Sequence, residues 1–182
     1  MWIYIILGIV AILAIYVIAT FNDLTKTRNR VDEAFATMDV YLKKRWDLIP
    51  NLVETVKGYM KHEKSTLEEI VELRNKTYDK MTEEDKVDVN NKLTQVISKL
   101  FALAEKYPDL KANQNFMDLS VQLTKVEDEI ANSRKYYNGA VRNLNDKVLM
   151  FPGNMIAGML GFKTRKMFEA AETERENVKV SL

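Results

Sequence analysis

The chain has 182 residues, 47% of them hydrophobic and 29% charged, and its 27 Lys and Arg almost balance its 26 Asp and Glu. A net charge of +1 gives nucleic-acid binding no electrostatic support. The lack of cysteine excludes disulfides, thiolate metal sites and thiol nucleophiles, and fits a reducing compartment.

From Met1 to Phe21 no side chain is charged, and the run WIYIILGIVAILAIYVIATF is dense in Ile, Leu, Val and Ala. At 1.5 Å rise per residue, about 20 such residues cross the roughly 30 Å hydrocarbon core. The run is apolar on every face, unlike the core helix of a soluble domain. It has no basic leader and no Ala-x-Ala-like site, so residues 1–21 are expected to be an uncleaved transmembrane anchor. Trp2 and Tyr4 stand at one edge, where amphipathic rings favour the interface. Lys26, Arg28 and Arg30 follow the anchor, then Lys43, Lys44 and Arg45; the positive-inside rule places the N-terminus outside and the main domain in the cytoplasm.

Beyond the anchor, the remaining residues, about 160, suit one domain. Their apolar periodicity is helical throughout. A first seam runs Val31, Phe35, Met38, Leu42, Arg45, Ile49, Leu52, Val56 and Met60, in a helix expected to reach about residue 62. Pro50 lies inside it and predicts a kink or short break, although the seam stays in phase across it. A second helix is expected from Ser65, where Ser65-x-x-Glu68 reads as a capping box, to about Lys80, with Leu67, Ile70, Val71, Arg74 and Tyr78 on its apolar face. A third starts near Thr82 and carries Val89, Leu93, Val96, Leu100, Phe101 and Ala104 before Pro108. The fourth, about 114–150, has the most regular stripe: Phe116, Leu119, Leu123, Val126, Ile130, Ser133, Tyr137, Val141, Leu144 and Val148. A near-heptad stripe of this length suits long helices packed at shallow angles, a bundle core more than an interaction zipper. The expected fold is all-α: an N-terminal transmembrane helix continuing into an elongated antiparallel four-helix bundle with long first and last helices, over residues 22–170. A variable tail, 171–182, follows. Where only the two long helices remain, a thin stalk invites self-association.

Chemistry is sparse. His62 is the sole histidine, so histidine-based metal sites cannot form within one chain, and His62-Glu63 lacks the second His of a zinc protease. No Gly-rich phosphate loop or nucleophile elbow occurs, no cofactor is expected, and pairs such as Glu68-Glu69 or Glu83-Glu84 read as solvated helix faces. Nine methionines suit packed or membrane-facing surfaces.

Two features stand out. Arg45 occupies a seam position, and either packs its stem with its head in water or buries its guanidinium against a carboxylate that fixes helix register. Antiparallel pairing of the long helices, with Met60 near Asn115, puts Arg45 opposite Ile130 and makes Glu127, Asp128 or Glu129 its partner. The same pairing brings Phe151 level with Leu24, at the membrane. There the apolar and basic segment 151–168 has Phe151, Met155, Ile156, Met159, Leu160 and Phe162, followed by Lys163, Arg165 and Lys166. Asn154 is a plausible cap for a short helix through Leu160. The turn suits a headgroup boundary with its cations on anionic lipid, and equally suits packing back onto the stalk or a neighbouring subunit.

Three segments carry a resemblance: YLKKRWDLIPNLVETVKGYMKHE at 41–63, ANSRKYYNGAVRNLN at 131–145 and FPGNMIAGMLGFKTRKMFEA at 151–170. In this order behind one N-terminal membrane helix, the chain resembles the LemA family of bacterial membrane proteins. The resemblance covers all but the region between the second and third helices and the tail after Ala170. It implies a long antiparallel helical bundle and a short extracytoplasmic N-terminus, and no established reaction. The expected role is non-enzymatic: a self-associating structural protein of the bacterial plasma membrane, touching lipid and forming a homo-oligomer. The alternative is an adaptor for another membrane protein.

Overall fold

A computed structural model describes residues 1–60, 64–75 and 77–168; His62, Glu63 and the tail 171–182 lie outside these. The described residues form six α-helices and one 3₁₀ turn, without strands: α1 (Trp2–Lys57), α2 (Lys64–Arg74), the 3₁₀ turn (Tyr78–Lys80), α3 (Glu83–Ala104), α4 (Pro108–Lys111), α5 (Gln114–Leu149) and α6 (Gly153–Met159). The all-α class expected from the periodicity is the one observed.

α1 carries both the apolar run and the first seam, and passes through Pro50 without a break. It stops at Lys57, several residues before the expected end, where the Val56 carbonyl accepts from the amides of Tyr59 (3.0 Å) and Met60 (2.9 Å). Every seam residue from Val31 to Met60 is buried, Arg45 included, whereas the apolar residues before Leu24 are exposed. Burying a Leu, Ile, Val or Met side chain stabilises a fold by about 1.5–3 kcal/mol, so this seam is a principal source of stability.

The chain packs as two compact units, one of Met1–Thr37 with Ser133–Met167, the other of Met38–Asn132 with Phe168–Leu182. In the first unit α1 and α5 run antiparallel: the Phe35 and Tyr137 rings meet edge-on at 5.7 Å, and Val148 packs against the buried cluster Leu24, Ala157 and Phe162. In the second unit α1, α2, α3 and α5 meet around Leu42, Ile49, Leu52, Ile70, Leu93, Leu100, Leu123 and Ile130, with Phe101 against Phe116 at 6.2 Å.

The second helix departs from expectation. α2 begins at Lys64, so Ser65 lies inside its first turn, and it ends at Arg74. Its buried face is Thr66 and Ile70; Val71 and Arg74 are exposed, because so short a helix turns only one narrow side inward. Tyr78 is buried from the separate 3₁₀ turn. α3 starts where expected: Thr82 and Asp85 form a reciprocal capping box, a cap worth about 1 kcal/mol.

Candidate functional site

Two clusters hold the residues singled out in the sequence. The first surrounds Arg45 in the second unit. The guanidinium is fully buried. Its Nη1 donates to Glu127 Oε1 at 2.5 Å and to Thr94 Oγ1 at 2.6 Å, and its Nη2 donates to the carbonyl and Oδ1 of Asn90 at 2.9 and 2.6 Å. Asn90, itself buried, is oriented by its amide donating to the Lys86 carbonyl at 2.8 Å. One guanidinium thus joins α1, α3 and α5. Of the three carboxylates expected near it, Glu127 is the partner, while Asp128 and Glu129 point to solvent. The pair sits one turn from the position opposite Ile130.

Nearer the start of α1, Asp39 accepts from the Tyr78 hydroxyl (2.6 Å) and from Lys86 Nζ (2.7 Å). The Tyr78 ring is tilted against Trp46 at 5.4 Å, and Lys86 Nζ stands 4.6 Å from its centroid, a cation–π contact. Burial, then the hydrogen bond to Asp39, pushes the Tyr78 hydroxyl well above its ordinary range. Asn90, Thr94, Asp39 and Lys86 were not anticipated. A buried Asn in the α3 seam beside Val89 and Leu93 was the available signal.

The second cluster is the membrane-proximal segment, which from Phe151 to Met167 belongs to the first unit. α6 buries Ile156 and Ala157, and Phe162 behind it packs edge-on against Phe21 at 6.0 Å under the Arg28 guanidinium. Phe151, Met155, Met159 and Leu160 are exposed, Met159 at 86%. α6 approaches the end of α5 so closely that a Cβ on Gly153 would stand 2.8 Å from the Lys147 carbonyl oxygen. Beyond Gly161, whose φ of 73° reverses the chain, residues 162–168 are extended. Asn145 fastens them, donating to the Arg165 carbonyl (3.0 Å) and accepting from its amide (2.8 Å), and Tyr137 donates to the Lys166 carbonyl at 3.1 Å. Arg165 turns its guanidinium to Asp32 at 3.3 Å, while Lys163 and Lys166 are exposed. Nearby, Lys147 pairs with Asp23 at 2.7 Å and donates to Thr27 at 2.9 Å. Among the described residues no group of His, Cys, Asp and Glu is gathered as a metal site.

A helical chain whose first helix begins with a fully exposed apolar stretch, with a partly buried apolar helix at the end of that stretch, defines a membrane-associated helical protein. The chain belongs to the LemA family, whose model matches residues 34–182. It is 27% identical over 161 residues to Protein LemA of Metamycoplasma hominis, a match covering 88% of this chain and 74% of that protein. It is 30% identical over 73 residues to Magnetosome protein MamQ 2 of Paramagnetospirillum magneticum, covering 40% of this chain and 27% of that protein. To Magnetosome protein MamQ of Magnetospirillum gryphiswaldense it is 26% identical over 72 residues, 40% of this chain and 26% of that protein.

Proposed function

We propose that the chain is a non-enzymatic structural protein that is anchored in the bacterial plasma membrane by residues 1–21 and self-associates at the membrane surface. The observation that carries this reading is the inward use of its polar chemistry. Arg45, Asn90, Thr94 and Glu127 engage one another, as do Asp39, Tyr78 and Lys86, so the charged groups hold helices in register instead of facing a substrate. The N-terminus lies outside and the helical units in the cytoplasm, a reading supported by Lys26, Arg28 and Arg30 after the anchor. Lipid is a partner, anionic lipid included, and so is a second copy of the chain. Val40, 65% exposed, and Tyr136, 59% exposed, are large apolar or aromatic side chains on the stretches, 24–45 and 134–150, where a neighbouring copy would pack.

A second reading, an adaptor for another membrane protein, is favoured by an open groove of about 580 Å³ lined by Val53, Lys57, Met60, Leu67 and Val71, which could seat an apolar helix. The mass of the full-length protein in mild detergent separates the two. Assembly predicts a homo-oligomer at micromolar concentration, and a strictly monomeric protein would overturn it in favour of the adaptor.

A further inference from the structure

The charge-free run of α1 ends at Asn22, and Asp23 is the first charge. The turn that enters α6 does not stop at that level. Met150, Phe151 and Gly153 line one groove with Tyr16, Ala19 and Thr20, which precede Asp23 on α1. From Asp23 back to Tyr16 is roughly 10 Å along a helix axis, so this turn reaches into the layer that the apolar run occupies. The burial pattern agrees. Ile156 and Ala157 face α1 and α5, while Phe151, Met155 and Met159 are 80%, 63% and 86% exposed, a combination that is unfavourable in water.

We propose that α6 and the turn before it form a membrane foot, with Phe151, Met155, Met159 and Leu160 lying in the headgroup–acyl boundary of the bilayer that α1 crosses. The proposal rests on the anchored reading above. The depth fits an interfacial helix, which buries its apolar face about 5–10 Å. Lipid is a better occupant than a second copy for two reasons. The groove shares its level with a stretch of α1 that has no charge to exclude lipid. A seven-residue helix, roughly 10 Å long, also falls far short of the ~800 Å² per partner of a stable protein interface.

The foot is fixed in place. Phe162 is seated with Leu24 and Ala157, and the two Asn145 hydrogen bonds hold the extended segment behind it. That segment climbs away from the apolar run, since Arg165 reaches Asp32 and Lys166 reaches Tyr137. Insertion is therefore driven mainly by apolar burial, with Lys163 the cation placed just after the foot.

Because the chain lacks cysteine, single-cysteine variants of the full-length protein can be spin-labelled and reconstituted in phosphatidylethanolamine–phosphatidylglycerol vesicles. Collision rates with oxygen and with an aqueous nickel chelate report depth. Ile9→Cys marks the anchor and Lys125→Cys, on an exposed face of α5, marks water. Met155→Cys and Met159→Cys are expected to show an oxygen-to-nickel ratio severalfold above that of Lys125→Cys. Aqueous values at both foot positions, with Ile9→Cys in lipid, would overturn the foot and leave the anchor standing. Aqueous values at Ile9→Cys as well would remove both. Shielding of the foot positions from both reagents would mean that protein, not lipid, covers them, and would also overturn the proposal.

Discussion

Arg45 and Glu127, 82 positions apart in sequence, form an ion pair at 2.5 Å in which the guanidinium is fully buried and the carboxylate side chain is 28% exposed. The asymmetry makes the two ends of the bond unequal. Deleting the carboxylate strands a charge with no route to water, and breaking a buried pair in this way costs about 3–5 kcal/mol at the upper end. Deleting the cation leaves Glu127 able to hydrate, and the loss falls on Asn90 and Thr94. Glu127→Ala is therefore expected to destabilise the protein by about 2–4 kcal/mol, and Arg45→Met by less. Urea unfolding followed by circular dichroism checks the order; an equal or larger loss for Arg45→Met would show that the hydrogen bonds to α3 outweigh the ion pair.

Tyr78 gives the second prediction. Its hydroxyl is held protonated by burial and by the bond it donates to Asp39. Since the folded-state value lies above that of the unfolded chain, about 10, this contribution is complete below pH 10 and is lost as the pH rises beyond it. Tyr78→Phe should flatten the alkaline fall in unfolding free energy. It should also remove from the ultraviolet titration of the eight tyrosines a component that ionises only on unfolding. Titration of every tyrosine near pH 10 in the folded protein would contradict this.

Two glycines make a matched pair. A Cβ at Gly153 would press on the Lys147 carbonyl at 2.8 Å, whereas one at Gly158, also in α6, meets nothing within 4 Å. Gly153→Ala must shift backbone, at a cost of about 1–3 kcal/mol to the docking of α6. Gly158→Ala should be neutral or favourable by up to about 1 kcal/mol through helix propensity. Amide exchange over residues 151–162 is the measurement. Faster exchange in Gly153→Ala, with Gly158→Ala unchanged or slower, is expected, and the reverse order would mean that α6 does not sit on the end of α5.

What the sequence made legible follows from where periodicity is long. The α1 and α5 stripes extend over many turns, so their buried faces could be read almost residue by residue. Arg45 was conspicuous because it interrupted a regular apolar series, and antiparallel pairing narrowed its partner to one turn of α5. Asn90 and Thr94 escaped because a polar residue on a short amphipathic helix looks the same facing water or a buried guanidinium until its neighbour is known. The boundaries around α2 failed for a related reason: with so few turns, Val71 and Tyr78 fitted one helical face, whereas the chain leaves the helix after Arg74 and buries Tyr78 from a 3₁₀ turn. In the segment 151–162 the apolar residues lie all round, so periodicity could not separate Ile156, which packs, from Met159, which does not.

Orientation in the membrane is the last prediction. Lys26, Arg28 and Arg30 follow the apolar run within ten residues, and no charged side chain precedes it. Lys and Arg near the end of a span resist translocation, whereas Asp23, Asp32 and Glu33 count little, so the bias retains everything after α1's apolar run in the cytoplasm. Internal pairing of some of these charges, such as Arg28 over the Phe162 ring, forms only after folding and does not alter it. A membrane-impermeant maleimide should therefore leave Lys125→Cys unmodified in intact cells and modify it once the membrane is permeabilised. Equal modification before and after would place the helical units on the outer side, and exchanging Lys26, Arg28 and Arg30 for Gln would then leave the orientation unchanged. If the basic cluster sets the topology, that triple substitution should instead raise the labelled fraction in intact cells.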